Sequence, residues 1–327
     1  MKTGWMFMPI QSYKIGEKVA TRDAYGDALE LLGEQHEEIV VMDADLAKST
    51  KSIVFGKKIP DRFRYIGICE ADMVSMGAGL ARCGKVPFVS SFASFLLNRS
   101  LDQIKISVCY SNTNVKIVGS HGGISTGDDG PTGQSVFDIA VARVIPNLKV
   151  LVPADYYETV ACTNAMYQNY GPFFMRTCRE KTEILTEEVP DFKLGKATVL
   201  REGRDATIVA CGALVQEALK AAKSLESQKI SVSVLNCASI KPFDTKAVEK
   251  EAEKGLIVSA EDGVVNGIGS AVAETIAEAR ADCRLIRVGL NNSFAESGKA
   301  SELLAKYGMD AAAIAKKVTI GLNQNRM

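Results

Sequence analysis

The run Tyr65-Ile66-Gly67-Ile68-Cys69-Glu70-Ala71-Asp72-Met73 decides how the rest of the chain is read. Its first four residues are strand-like, and a small-residue helical pattern follows over 73–82. Glu70 therefore falls at a strand-to-helix turn, where open α/β sheets place ligand sites. A carboxyl group at a buried junction is costly unless a polar group meets it. Outward from this turn, the pattern predicts helices over 23–35, 72–82, 93–110, 135–143 and 155–167. It predicts strands over 39–42, 86–89, 115–118, 149–152 and 173–176. Apolar strands separated by helices indicate a parallel sheet covered on both faces.

A polar, proline-containing stretch follows at 186–205, and then the pattern restarts. Strands are expected over 206–210, 232–235, 255–259 and 284–288, and helices over 213–227 and 267–281. In the last helix Ile268, Val272 and Ile276 recur every four residues and define an apolar face. The expected organisation is an N-terminal arm (1–14), a first domain (15–188), a linker (189–205) and a second domain (206–327). The fold class is α/β, with a mainly parallel sheet flanked by helices in each domain.

Composition narrows the function. The chain has 327 residues, 46% hydrophobic and 24% charged, with zero formal net charge. No basic patch or charge block stands out, so nucleic acid and anionic membranes are not expected partners. No apolar run reaches transmembrane length. The arm, with Trp5, Met6, Phe7 and Met8, reads as a docking tail rather than a secretory signal. Eight cysteines without a C-x-x-C pair read as small buried hydrophobes of a reducing cytoplasm. Two histidines, His36 and His121, leave little for a histidine zinc site.

Four segments are expected at one sheet edge: Asp43-Ala44-Asp45-Leu46, the Glu70 turn, Phe92-Ala93-Ser94-Phe95, and the loop 119–133. That loop has six glycines in fifteen residues and holds His121, Asp128 and Asp129. It reads either as a flexible surface loop or as a functional loop whose backbone approaches a ligand closely. Phe92 and Phe95 lie three apart at a helix start. They read as core, or as an apolar slot for a flat heteroaromatic ring faced by Glu70. In the second domain the turn 263–269 invites a phosphate-loop reading. It lacks the lysine and the spacing, so a close-packed turn entering a helix is preferred.

The segments 65–73, 91–95, 121–132 and 175–179, with the G-D-D-G-P run at 127–131, resemble the pyrimidine-binding domain of transketolases. Ser259-Ala260-Glu261-Asp262-Gly263 and Gly267-Ile268-Gly269-Ser270 resemble the transketolase C-terminal domain, and the resemblance spans about 15–318. It implies thiamine diphosphate as cofactor, with Glu70 hydrogen-bonding N1′ of the aminopyrimidine and favouring its imino tautomer. Asp45, Phe92 and Phe95 match cofactor-binding positions. Asn98 stands where a tyrosine is usual, and Arg99 is one residue out of register with an arginine of deoxyxylulose-phosphate synthases. His121 and Asp129 match substrate-facing positions, and Arg179 the arginine that grips the sugar phosphate. Gly133 replaces a second substrate histidine. The family's G-D-G motif, which holds Mg²⁺ and the diphosphate, is not in this sequence. The resemblance therefore implies no metal ligands here, a C-terminal subunit of a split transketolase, an N-terminal diphosphate-binding partner subunit, and self-association into a heterotetramer. The implied reaction moves a two-carbon ketol unit from a ketose phosphate to an aldose phosphate. Two other readings are the E1 beta subunit of a 2-oxoacid dehydrogenase and a non-catalytic regulatory subunit. The second domain is expected to serve assembly.

Overall fold

The structure is a computed structural model and describes residues 11–325. Most of the proposed arm, including Trp5, Met6, Phe7 and Met8, lies outside the described residues. The larger sheet has seven strands, in the order Ser239–Lys241, Lys149–Leu151, Phe173–Arg176, Lys116–Ser120, Val86–Phe92, Ile39–Asp43 and Phe63–Tyr65. Every neighbouring pair is parallel except the Ser239–Lys241 edge, which pairs antiparallel with Lys149–Leu151. The second sheet runs Arg284–Leu290, Leu256–Val264, Ala206–Ala210, Val232–Asn236 and Thr198–Arg201, and is parallel apart from its last pair. A small ribbon joins Lys18–Ala20 to Lys181–Glu183. The chain is thus α/β with mainly parallel sheets.

The central strands Lys116–Ser120 and Ala206–Ala210 are buried along their whole length, as apolar strands covered on both faces require. Helices cover the faces through apolar stripes. Leu214–Leu225 buries Leu214, Val215, Ala218, Ala221, Ala222 and Leu225, three or four residues apart. The helix Tyr156–Gln168 is capped by Asp155, whose carboxylate accepts from Glu158 N at 2.8 Å. One apolar cluster runs from Met42, Val89 and Phe174 in the first sheet to Leu235, Ile257 and Val272 in the second half.

Three local expectations change. The helix predicted over 93–110 breaks at Ser100, where φ is −117° and ψ 15°. It resumes as Leu101–Gln103 and a wide π-type segment, Ile104–Tyr110, which keeps Ile104, Val108 and Cys109 on the core side. The polar stretch 186–205 holds the edge strand Thr198–Arg201 of the second sheet. An edge strand with two exposed residues lacks the apolar run that marks central strands. The strand Ser239–Lys241 leaves the second half of the chain and completes the first sheet.

Candidate functional site

Parallel strands align all their carboxyl ends on one edge. There, Asp45 follows Ile39–Asp43, Glu70 follows Phe63–Tyr65, Phe95 follows Val86–Phe92, His121 follows Lys116–Ser120 and Arg179 follows Phe173–Arg176. Five separate segments of sequence converge because the sheet is parallel.

Glu70 opens the helix Glu70–Arg82, with its side chain only 2% exposed. The polar group that meets it is Arg99, whose Nη1 donates to Oε1 at 3.0 Å and Oε2 at 3.1 Å. Ser91 Oγ donates to Oε1 at 3.4 Å. Arg99 also lies over the Phe95 ring, 4.3 Å from its centroid. Phe95 stacks on Phe92 at 5.6 Å, and Phe92 stacks on the His121 imidazole at 3.7 Å. A flat ring held between two others needs about 7 Å, twice a contact distance. The two phenyl rings therefore present edges and an outer face rather than an open slot between them. Asn98 is exposed and lies outside this run of contacts, and the next residue, Arg99, occupies it instead.

His121 is buried and has a left-handed backbone, φ +62°. Its Nε2 lies 3.3 Å from Arg22 Nη1 and its Nδ1 lies 2.7 Å from Ser120 Oγ. A guanidinium only donates, so Nε2 must accept; the ring proton then sits on Nδ1 and donates to Ser120. Burial, with Arg22 and Arg179 nearby, pushes the imidazole down to about 3, which keeps it neutral. Arg22 also donates to Ser49 O at 3.0 Å, and its Nε is buried without a hydrogen-bond partner. Arg179 donates to Thr126 O at 2.9 Å and to Asp129 Oδ1 at 3.2 Å. Arg22, Thr126, Arg179, Lys181, Lys220 and Lys299 line a cleft of about 610 Å³. Arg22 was not legible as a site residue: Thr21-Arg22-Asp23 reads as an ordinary charged helix start.

Over residues 119–127, which are all buried, the loop is no flexible surface loop, and exposure is confined to its tip at Asp128, Asp129, Pro131 and Thr132. Its glycines approach the protein's own groups. A Cβ on Gly122 would come within 2.1 Å of Arg176 Cδ, and one on Gly123 within 2.0 Å of the Asp262 carboxylate. Arg176, read from sequence only as a neighbour of Arg179, is fully buried and pairs with Asp138 at 3.2 Å and with Asp262. Burial pushes the Asp138 carboxyl up, against the pull of Arg176. Asp138 gave no sequence signal, and Asp262 entered only as part of the Ser259–Gly263 resemblance; their shared partner Arg176 becomes adjacent only when both sheets are assembled.

Two further expectations are placed. Asp45 is exposed, at φ +66°, whereas Asp43 is buried. Asp43 accepts from Leu46 N at 2.6 Å, Thr50 Oγ1 at 2.7 Å and Ser52 Oγ at 2.9 Å, and so fixes the turn that carries Asp45. In the turn 263–269, the Glu261 carboxylate accepts from Gly267 N at 3.0 Å and Gly269 N at 3.3 Å. The amides a phosphate would use are already taken, as a close-packed turn requires.

Residues 17–183 match the model of the transketolase pyrimidine binding domain, and residues 195–314 that of the transketolase C-terminal domain. The chain belongs to the transketolase family. It is 42% identical over 300 residues to a putative transketolase C-terminal section of Methanocaldococcus jannaschii, covering 91% of this chain and 94% of that one. It is 39% identical over 297 residues to a 6-deoxy-6-sulfo-D-fructose transketolase subunit of Clostridium sp. strain MSTE9, covering 90% and 92%. Among solved structures it resembles a split gene transketolase described as an inactive beta4 tetramer. That match has a TM-score of 0.87 and 41% identity, covering 93% of this chain and 99% of that one. This transketolase chain is thus of the C-terminal-section type. Among its described residues no helix is long and apolar enough to cross a membrane.

Proposed function

We propose that this chain is the C-terminal, catalytic subunit of a heteromeric transketolase that moves a two-carbon ketol unit from a ketose phosphate to an aldose phosphate. The observation that carries the reading is the unbroken run of contacts from Glu70 through Arg99, Phe95, Phe92 and His121 to Arg22, with Arg179 and Asp129 beside it. One end offers a buried carboxyl group and aromatic edges, a lining that fits an aminopyrimidine. The other offers two guanidiniums at a cleft, one with an orphaned buried N–H, which fits a phosphate.

Thiamine diphosphate, when bound, supplies the carbanion chemistry. Glu70 would hold the pyrimidine through a ring nitrogen, with Phe92 and Phe95 against the ring and Asp45 and Asn98 at the exposed rim. Once Arg22 turns to a phosphate, the unprotonated Nε2 of a neutral His121 is freed to accept from a sugar hydroxyl, which an imidazolium cannot do. Arg22 and Arg179 repel each other, and a phosphate between them relieves both while fixing the sugar's far end. Asp129, held by Arg179, would meet a sugar hydroxyl.

A separate N-terminal subunit would supply the diphosphate half and the Mg²⁺ ligands. Among the described residues no group of three or more His, Cys, Asp or Glu could hold a metal ion. Relatives named as a section and as a subunit support a two-chain enzyme, and the split gene transketolase described as an inactive beta4 tetramer supports a chain that does not act alone. The paired arginines favour sugar phosphates over the 2-oxoacids of an E1 beta subunit. Purification with the diphosphate-binding subunit and a coupled ketol-transfer assay test the proposal. Activity is expected only with both chains and thiamine diphosphate. Lipoamide-dependent oxoacid decarboxylation, or no activity in any combination, would overturn it.

A further inference from the structure

The strand Leu256–Val264 belongs to the second sheet, yet it ends against the loop that carries His121 and Asp129. Asp262, fully buried, accepts from Ser125 Oγ at 2.5 Å and from Arg176. The other arm of Arg176 reaches Asp138 at 3.2 Å. These side chains stand where Cβ atoms of Gly122 and Gly123 would be, so the loop backbone is seated directly on the ion group. Further ties continue along the same segment. Val264 N donates to Val136 O at 2.7 Å, Gln134 Nε2 to Glu296 O at 3.0 Å, and Ser297 Oγ to Asp128 O at 2.5 Å. His121, the residue between Ser120 and these two glycines, sits in a left-handed backbone region, which a non-glycine side chain keeps only when its surroundings hold it.

We infer that Asp262 is a positioning residue: through Ser125 and Arg176, the second sheet sets the backbone of the His121–Asp129 loop and hence the sugar-binding geometry. This inference rests on the proposed function for its sugar, but not for the clamp itself. Asp262 touches no reacting atom. Its effect passes through the loop, so it should alter sugar binding and leave the Glu70 end unchanged. The second half of the chain would then have a part in substrate recognition beyond assembly.

Two variants test this. Ser125→Ala removes one hydrogen bond and leaves the Arg176 ion group intact. Asp262→Asn keeps an acceptor but removes the charge. Hydrogen exchange on the isolated full chain reads the clamp without any activity. Amides over 121–130 should exchange about tenfold faster in Ser125→Ala, the scale of one hydrogen bond to a charged group, while the first-sheet strands stay unchanged. In the two-subunit complex the sugar-phosphate KM should rise about tenfold, with kcat and the thiamine diphosphate requirement within about twofold, and Asp262→Asn should go further in the same direction. Unchanged loop exchange, faster exchange throughout the chain, or a loosened loop with unaltered KM would each overturn the inference. A wild-type complex with no ketol transfer would overturn the functional reading instead, and the exchange result would still decide the clamp.

Discussion

Glu70 and Glu261 are the same chemical group in the same kind of place: a carboxylate beside the start of a helix that follows a parallel strand. Their partners differ. Glu261 is enclosed and caps two backbone amides of the turn into Ile268–Glu278. Those partners cannot leave without unfolding the turn. Glu70 is as buried, but its partner is a side chain, Arg99, that is 48% exposed and carried on a flexible stem. A partner that can move leaves Glu70 able to meet a ligand, whereas Glu261 is committed to the fold. A carboxylate's burial therefore says little about its role, and the freedom of whatever satisfies it says more.

The comparison can be broken by exchanging each carboxylate for its neutral isostere. Glu70→Gln in the assembled two-subunit enzyme should lower kcat by ~10²–10⁴-fold, the loss typical of a positioned acid–base group, with little change in Tm. Near-normal turnover with a purified partner would remove Glu70 from the chemistry. Glu261→Gln should leave kcat within about threefold, because its work is local and Gln keeps an acceptor for the amides.

What Glu261→Gln should change is stability against pH. Burial pushes the Glu261 carboxyl up to about 7, from an ordinary value near 4.5. A folded-state value raised above the unfolded one means that this group's favourable contribution is full below about pH 4.5. It is lost as pH rises through 7, since the unfolded state releases its proton first. Between pH 4.5 and 7.5 the variant should therefore gain about 2–3 kcal/mol on the wild type in urea unfolding. A constant difference across that range would show that the carboxylate is not desolvated in solution.

Much of the fold was legible because parallel sheets write apolar strands and amphipathic helices plainly. The strands Phe173–Arg176 and Ala206–Ala210 match expectation residue for residue. The ribbon Lys18–Ala20 and the edge strands Thr198–Arg201 and Ser239–Lys241 did not show, because strands of three or four residues are too short to carry a periodicity. The break at Ser100 was hidden because Leu96, Leu97, Ile104 and Val108 still supply apolar residues at near-helical spacing.

At the site, Glu70 stood out as a charge at the end of an apolar strand-like run, and His121 as an imidazole among glycines. Arg22 did not, since an arginine in a helix's first turn is an ordinary surface residue until folding sets it against His121. Nor did the reason for Gly122 and Gly123: the groups they make room for, Arg176 and Asp262, lie far beyond them in sequence. Spacing along a chain reports local conformation, and contacts between sheets leave no trace in it.

The central claim, that Glu70 is the carboxylate kept available for a ligand, is tested most directly by a crystal structure of the assembled complex with thiamine diphosphate. The expected result is a Glu70 oxygen within hydrogen-bonding distance of the pyrimidine N1′, with Arg99 turned aside or sharing the carboxylate. A pyrimidine ring bound elsewhere, with Glu70 still closed on Arg99 through both oxygens, would contradict it.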